Sequence, residues 1–140
     1  MKRETLENLL EKRIERKRAD VFLRSDFDDL GGYDQVGRAL RRLVRNGKLL
    51  RIGQGLYTRA RPSLLDGAPT PVKGLRLIAA EALRRLGVET VPTRMEQDYS
   101  AGKTTQVPAG RTVGVRGRVR RKIEYNGVTI GFERAGPTPR

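Results

Sequence analysis

The segment Arg61–Pro71, RPSLLDGAPTP, constrains the fold more than any other. It carries three prolines and a glycine, so no helix runs through it and no central strand is comfortable in it. It divides 140 residues into two stretches, each long enough for only one small core. The spacing therefore predicts a domain at 1–61, a linker at 62–71, a second domain at 72–134 and a flexible tail at 135–140.

Charge follows the same division. The chain has 30 Lys+Arg against 16 Asp+Glu, a formal net charge of +14. Residues 1–62 and 63–140 each carry +7, so this is not a neutral domain with a basic tail. A cationic surface of this size points to a polyanion, first of all nucleic acid, then acidic lipid or an acidic protein. The absence of His and Cys excludes a thiol nucleophile, a Ser-His or Cys-His dyad, a disulfide framework and an ordinary zinc site. No enzyme activity, no cofactor and no metal are expected of such a chain. Arg interrupts every apolar-rich stretch, so no membrane span is expected. The start, MKRETLENLLEKR, mixes charges into its apolar pattern and is not expected to be a signal peptide. The absence of cysteine suits a reducing, cytoplasmic setting.

The first half reads as helix, short strand, helix, helix, hairpin. Over Glu4–Lys17, Leu6, Leu9, Leu10 and Ile14 form one narrow helical stripe. Val21–Arg24 is β-prone. Ser25 and Asp28 resemble a capping box, so a short helix is expected before Gly31–Gly32, with Asp26, Asp28 and Asp29 in its first turn. A helix over Asp34–Arg45 follows, with Val36, Leu40, Leu43 and Val44 on one face and Gly47 as C-cap. Leu49–Ile52 and Leu56–Arg59 flank Gly53–Gln54–Gly55, which predicts a hairpin. Two helices and a hairpin in this order describe a winged helix-turn-helix.

The second helix carries the candidate chemistry. At about 100° per residue, Arg38, Arg41 and Arg45 oppose the apolar face, with Gln35 and Arg42 beside them. A guanidinium fork fits guanine O6/N7 and also phosphate, and Gln35 could pair with adenine. Tyr33, at the head of this helix, is included in the candidate DNA surface. Arg51, Gln54 and Arg59 on the hairpin are candidates for phosphate or minor-groove contact. Tyr57 is expected to pack. The plain alternative is that these arginines merely keep an exposed face in water. No carboxylate after Asp34 is available within the helix to pair with them.

The second half reads as one helix, Val72–Leu86, packed on a small antiparallel sheet. Strands are expected at Val88–Val91, Thr112–Val115, Val119–Tyr125 and Val128–Glu133, with Asn126–Gly127 as a tight hairpin turn. Alternation along the chain would put Arg116, Arg118, Arg120 and Lys122 on one strand face and Val115, Gly117, Val119 and Arg121 on the other. Such a basic ladder needs a counter-anion: phosphate, an acidic partner, or Glu124 and Glu133. The Gly102–Thr105 string lacks the spacing of a phosphate loop and is rejected as a nucleotide site.

Ser25–Asp26–Phe27, the run from Gln35 through Lys48–Leu49, and Gly53-Gln54-Gly55-Leu56-Tyr57 resemble the N-terminal winged helix of AbiEi-type antitoxins. Lys103-Thr104-Thr105-Gln106-Val107-Pro108 with Arg118 to Ile123 is similar to the C-terminal part of short, DUF6088-like members. The resemblance covers roughly residues 20–134. It implies an antitoxin of a type IV toxin–antitoxin system that represses its own operon through the winged helix. It implies a nucleotidyltransferase-like toxin as partner, neutralised through the second domain. Lys103, Thr104, Thr105, Gln106, Arg116, Arg118, Arg120, Arg121 and Lys122 would then meet the toxin or add DNA contacts. The extra N-terminal helix would serve dimerisation or cover the DNA-binding core.

The expected fold is thus α+β, a winged helix-turn-helix followed by a small domain of one helix on an antiparallel sheet. The expected partners are double-stranded promoter or operator DNA, with an inverted repeat if a homodimer binds, and a toxin encoded next door. Two other functions fit the residues: a stand-alone winged-helix regulator without a toxin, and a basic RNA- or ribosome-associated protein. Against the last, three Phe and four Tyr are few for base stacking, and none interleaves the basic strand.

Overall fold

The structure is a computed structural model and describes residues 4–107 and 110–135. The tail expected at 135–140, apart from Ala135, and Pro108 of the T-T-Q-V-P string lie outside the described residues. The chain is α+β and divides into two compact units, Met1–Lys73 and Gly74–Arg140.

In the first unit, α1 (Leu6–Arg16) starts at Thr5, whose hydroxyl accepts from the Asn8 amide at 3.1 Å. Strand β1 (Val21–Leu23) leads into a 3-10 turn, Arg24–Phe27. The α-helix expected after Ser25 is therefore only this turn. Its cap is also different: the Asp26 carboxylate accepts from the Leu23 amide at 3.0 Å. Asp29 looks outward to Arg13 instead of capping. Gly31–Gly32 leaves too few residues for a regular helix to propagate. Helix α2 (Tyr33–Arg45) then runs to a Schellman end, with Lys48 N donating to Leu43 O at 2.9 Å and Gly47 N to Val44 O at 3.0 Å. Gly47 has φ +77°, the left-handed conformation that this end requires.

Strands β2 (Leu49–Gly53) and β3 (Leu56–Pro62) form the expected hairpin, with an irregular step between Arg51 and Gly53. β3 lies between β1 and β2, antiparallel to both. Leu10, Ile14, Phe22, Phe27, Val36, Leu40, Leu43 and Leu49 make the core, so α1 and α2 cover one side of this sheet. Tyr57 is 6% exposed in that core, as a packing residue. The stretch 62–71, read as a linker, instead continues β3 and returns as β4 (Pro69–Pro71), paired with β3. Prolines tolerate this place because β4 is short and at an edge.

In the second unit, α3 (Leu75–Arg85) buries Ile78, Ala79, Ala82 and Leu83. β5 (Thr90–Val91) is followed by a helix that the periodicity missed, α4 (Arg94–Ser100). Its signal was present: Thr93 and Glu96 form a capping box, with Glu96 N donating to Thr93 Oγ1 at 3.2 Å and Thr93 N to Glu96 Oε1 at 3.2 Å. The remaining strands are β6 (Thr112–Val115), β7 (Glu124–Tyr125), β8 (Val128–Thr129) and β9 (Gly131–Arg134). β7 and β8 make the Asn126–Gly127 hairpin, Asn126 at φ +52°.

The sheet itself departs from expectation. β5 pairs antiparallel with β6, but β6 pairs in parallel with β9, so the three-stranded sheet is mixed. The strand expected over Val119–Tyr125 is reduced to two residues, and that expected over Val128–Glu133 is split. Burial explains both. Ile123 and Ile130 are anchored in the core, 0% and 3% exposed, and the Ile130 amide donates to Ile123 O. The β7–β8 hairpin is the excursion between those anchors.

Candidate nucleic-acid interface

Helix α2 takes its rotation from its core side. Val36, Ala39, Leu40 and Leu43 are buried, and this leaves Gln35, Arg38, Arg41, Arg42 and Arg45 exposed. The amphipathic pattern is therefore realised as expected. The side chains of Arg38, Arg41, Arg42 and Arg45 make no ion pair or hydrogen bond with any described residue. Arg42 and Arg45 also sit in the last turn, where the negative end of the helix dipole favours cations. That local benefit does not extend to Arg38 and Arg41.

Arg16, Arg18 and Arg61 are likewise exposed without side-chain partners among the described residues, but they do not share one helix face, and several other cations of the unit are paired. Arg13 meets Asp29 in a forked pair, one arm at 2.8 Å, and donates to Asp26 O at 3.0 Å. This hydrogen bonding to Arg13 holds the Asp29 carboxyl below its ordinary range. Lys48 pairs with Glu11 at 2.8 Å, and the hydrogen bond it donates to Glu11 raises the lysine above its ordinary value. Lys12 pairs with Glu4, and Lys17 approaches Asp26 at 3.8 Å. The contacts of Arg13, Lys17 and Lys48, with Asn46 Nδ2 donating to Glu7 at 3.0 Å, fasten α1 to the unit. A groove of about 400 Å³ remains between α1 and α2, lined by Leu6, Leu9 and Leu30 with Glu4, Gln35, Arg38 and Arg42; Glu4 itself pairs with Lys12. The N-terminal helix thus covers the core without covering the arginines.

The hairpin candidates separate. Gln54 lies exposed at the β2–β3 turn. Arg51 is exposed on β2, and its Nε donates to Gly53 O at 3.3 Å. Arg59 does not belong to this surface. Its Nε donates to Ala19 O at 3.0 Å, its terminal nitrogen to Ile14 O and Lys17 O, and Asp20 stands 3.6 Å away. Its guanidinium also lies 5.0 Å from the Phe22 ring centroid. Arg59 is a clamp that satisfies the carbonyls at the end of α1, a need that only the folded chain creates.

Tyr33 is 70% exposed at the head of α2, with the guanidinium of Arg24 stacked 3.4 Å from its ring centroid. Arg24 is the residue that the sequence reading missed. A glycine inside α2, Gly37, is the one local sign of it, because a Cβ there would lie 2.5 Å from Arg24.

The second-unit candidates are exposed, apart from the half-buried Thr104, but do not form a ladder. Lys103, Thr104, Thr105 and Gln106 follow the end of α4, with Gln106 N donating to Thr104 Oγ1 at 3.1 Å. The string closes a helix, so it lacks the N-terminal amides of a phosphate loop. Arg116, Arg118, Arg120, Arg121 and Lys122 are exposed, but no strand runs from 116 to 123, and Gly117 turns at φ +92°. Period-two faces do not exist there. Arg116 meets Glu89 at 3.4 Å and Lys122 meets Glu124 at 3.2 Å. Glu133, suggested as a counter-anion, accepts from the Arg94 amide at 2.7 Å.

Among the described residues, no group of three or more acidic side chains could hold a metal, and no helix is long and apolar enough to cross a membrane. No curated protein and no solved structure matches the chain. A sequence model of a protein family matches residues 8–139, and by that match the chain belongs to DUF6088, a family of unknown function.

Proposed function

We propose that the chain is a sequence-specific DNA-binding antitoxin that represses its own operon. In this reading the first unit is a winged helix: α1, β1, the 3-10 turn, α2 and the β2–β3 hairpin are its elements in order. The order β1-β3-β2 in the sheet supports it. α2 enters the major groove, and the hairpin around Arg51 and Gln54 follows the backbone. Gln35 and one of Arg38, Arg41, Arg42 and Arg45 read base edges, while the others hold phosphates.

The observation that carries the reading is the unpaired set Arg38, Arg41, Arg42 and Arg45 on one exposed helix face, in a unit that pairs Lys12, Arg13, Lys17, Lys48 and Arg59 internally. Guanidinium groups left without counter-ions are available to phosphates and guanines. A gel shift on the native promoter tests this with Arg38→Ala and Arg84→Ala. Weaker binding by Arg38→Ala alone is expected. Equal binding by the two variants would sink the assignment.

The toxin partner rests on the likeness to AbiEi-type antitoxins. The second unit would meet a nucleotidyltransferase-like toxin through the loop around Thr104 and Gln106 and the segment 116–122. Co-expression with the product of the adjacent gene tests it: relief of growth arrest is expected, and persistent arrest leaves a regulator without that partner.

A further inference from the structure

Arg24 joins the two elements that the proposed interface needs to hold in register. Its backbone amide donates to Gly55 O at 3.0 Å, at the turn of the β2–β3 hairpin. Its guanidinium reaches the other way, donates to Tyr33 O and stacks at 3.4 Å from the Tyr33 ring centroid. Three features of this contact are locally unfavourable. A cation sits at the positive end of the α2 dipole. Arg24 Nε is buried without a hydrogen-bond partner. Gly37 occupies a helix interior, where glycine costs roughly 0.5–1 kcal/mol relative to alanine. The last has a direct cause in the same arginine. The three atoms nearest to a Cβ built on Gly37 all belong to Arg24, at 2.5, 3.0 and 3.4 Å.

A fold that needed only stability would gain by replacing Gly37 with alanine and letting the guanidinium swing into water. Local inconsistencies that converge on one spot are the mark of a site held for use. The spot adjoins Gln35 and Arg38, and the Tyr33 ring is 70% exposed there, with Arg24 stacked on it.

We propose that Arg24 is a positioning residue that fixes the head of α2 and the Tyr33 ring against the β2–β3 hairpin. The Arg24–Tyr33 pair thereby sets sequence selectivity, because the braced ring offers an apolar surface to a thymine methyl in the major groove. This rests on the duplex-DNA reading above. Gly37 is glycine so that Arg24 can stay.

Gly37→Ala is the decisive variant, since it displaces a flexible side-chain end while improving helix propensity. Affinity is measured for the native promoter duplex and for a scrambled duplex of equal length and composition, together with Tm. The expected result is a Tm at or above that of the wild type with selectivity reduced roughly tenfold. Arg24→Ala and Tyr33→Ala lose selectivity similarly, and Gly37→Ala with Arg24→Ala loses no more than either alone. Unchanged selectivity in Gly37→Ala and Arg24→Ala overturns the proposal. So does a loss that only follows a fall in Tm, which gives Arg24 a structural role alone. A wild-type protein that does not discriminate between the duplexes overturns the DNA reading itself, and this proposal with it.

Discussion

Helix α2 and the segment 116–122 carry similar clusters of cations, yet only the helix keeps the face that its spacing describes. In α2 the i→i−4 hydrogen bonds lie within the segment, so side-chain periodicity survives wherever the helix survives. The segment 116–122 needs a neighbouring strand for its periodicity, and none is there. Its cations are exposed around an irregular path, and two of them, Arg116 and Lys122, find carboxylates nearby. Basic residues in a row are thus weak evidence of a binding face until the element that orders them is known. The same contrast recurs inside the first unit, where Arg59 looked like part of the hairpin surface and is instead bound to the end of α1.

The largest expected effect comes from replacing Arg38, Arg41, Arg42 and Arg45 together by Ala. Specific duplex binding should disappear, with Tm little changed because none of the four has an internal partner. Each phosphate contact removed should flatten the plot of log affinity against log salt by about 0.9. Arg38→Ala alone should cost about 1–3 kcal/mol of binding if it reads a base. An unaltered salt slope in the quadruple variant would remove the distinction between α2 and the other cations.

Arg59→Ala should behave in the opposite way. It strips charged donors from Ala19 O, Ile14 O and Lys17 O, and should cost about 2–4 kcal/mol in a denaturant titration, since a hydrogen bond to a charged group is worth about 1.5–3 kcal/mol. Under conditions where the variant stays folded, its DNA salt slope should match the wild type. A lowered slope would return Arg59 to the interface.

Replacing Arg118 and Arg120 together by Ala sharpens the comparison from the other side. Exposed residues outside regular structure should change stability by less than about 0.5 kcal/mol. Promoter affinity should fall less than in Arg38→Ala. A larger fall would place the second unit on DNA as well.

The smallest effect concerns acid. In Glu96, burial works to raise the pKa, but the hydrogen bonds from Arg76 and Thr93 outweigh it and the net shift is downward. Asp29 is also lowered, by its bond from Arg13. A carboxyl depressed in the fold stabilises fully above its ordinary pKa and loses that contribution as pH falls through the depressed value. Stability should therefore decline on acidification below the ordinary carboxylate range. Glu96→Gln should show a shallower decline at α3 and α4, followed by hydrogen exchange; an identical profile would show that the pair with Arg76 contributes nothing.

Much of the first unit was legible because its signals are local. The stripe of Leu6, Leu10 and Ile14, the face of α2, the Gly47 stop and the Gln54–Gly55 turn each depend on neighbours within a few residues. The Asn126–Gly127 turn was legible for the same reason. The missed helix α4 is too short for periodicity to declare itself, although its Thr93–Glu96 cap could have been read. The candidate surface was legible as a set of arginines on α2, but Arg24 was not among them.

Sequence by itself determined which faces the longer helices bury, where the tight turns fall, and that four arginines share the outer face of α2. These follow from fixed helical geometry and from residues that alone suit a given backbone conformation. Tertiary structure decided the parallel pairing of β6 with β9, the return of the proline segment as β4, the capture of Arg59 by the end of α1, and the seat of Arg24 over Gly37. Each of these depends on carbonyls, edges or empty spaces supplied by residues distant along the chain, which exist only once the cores have formed.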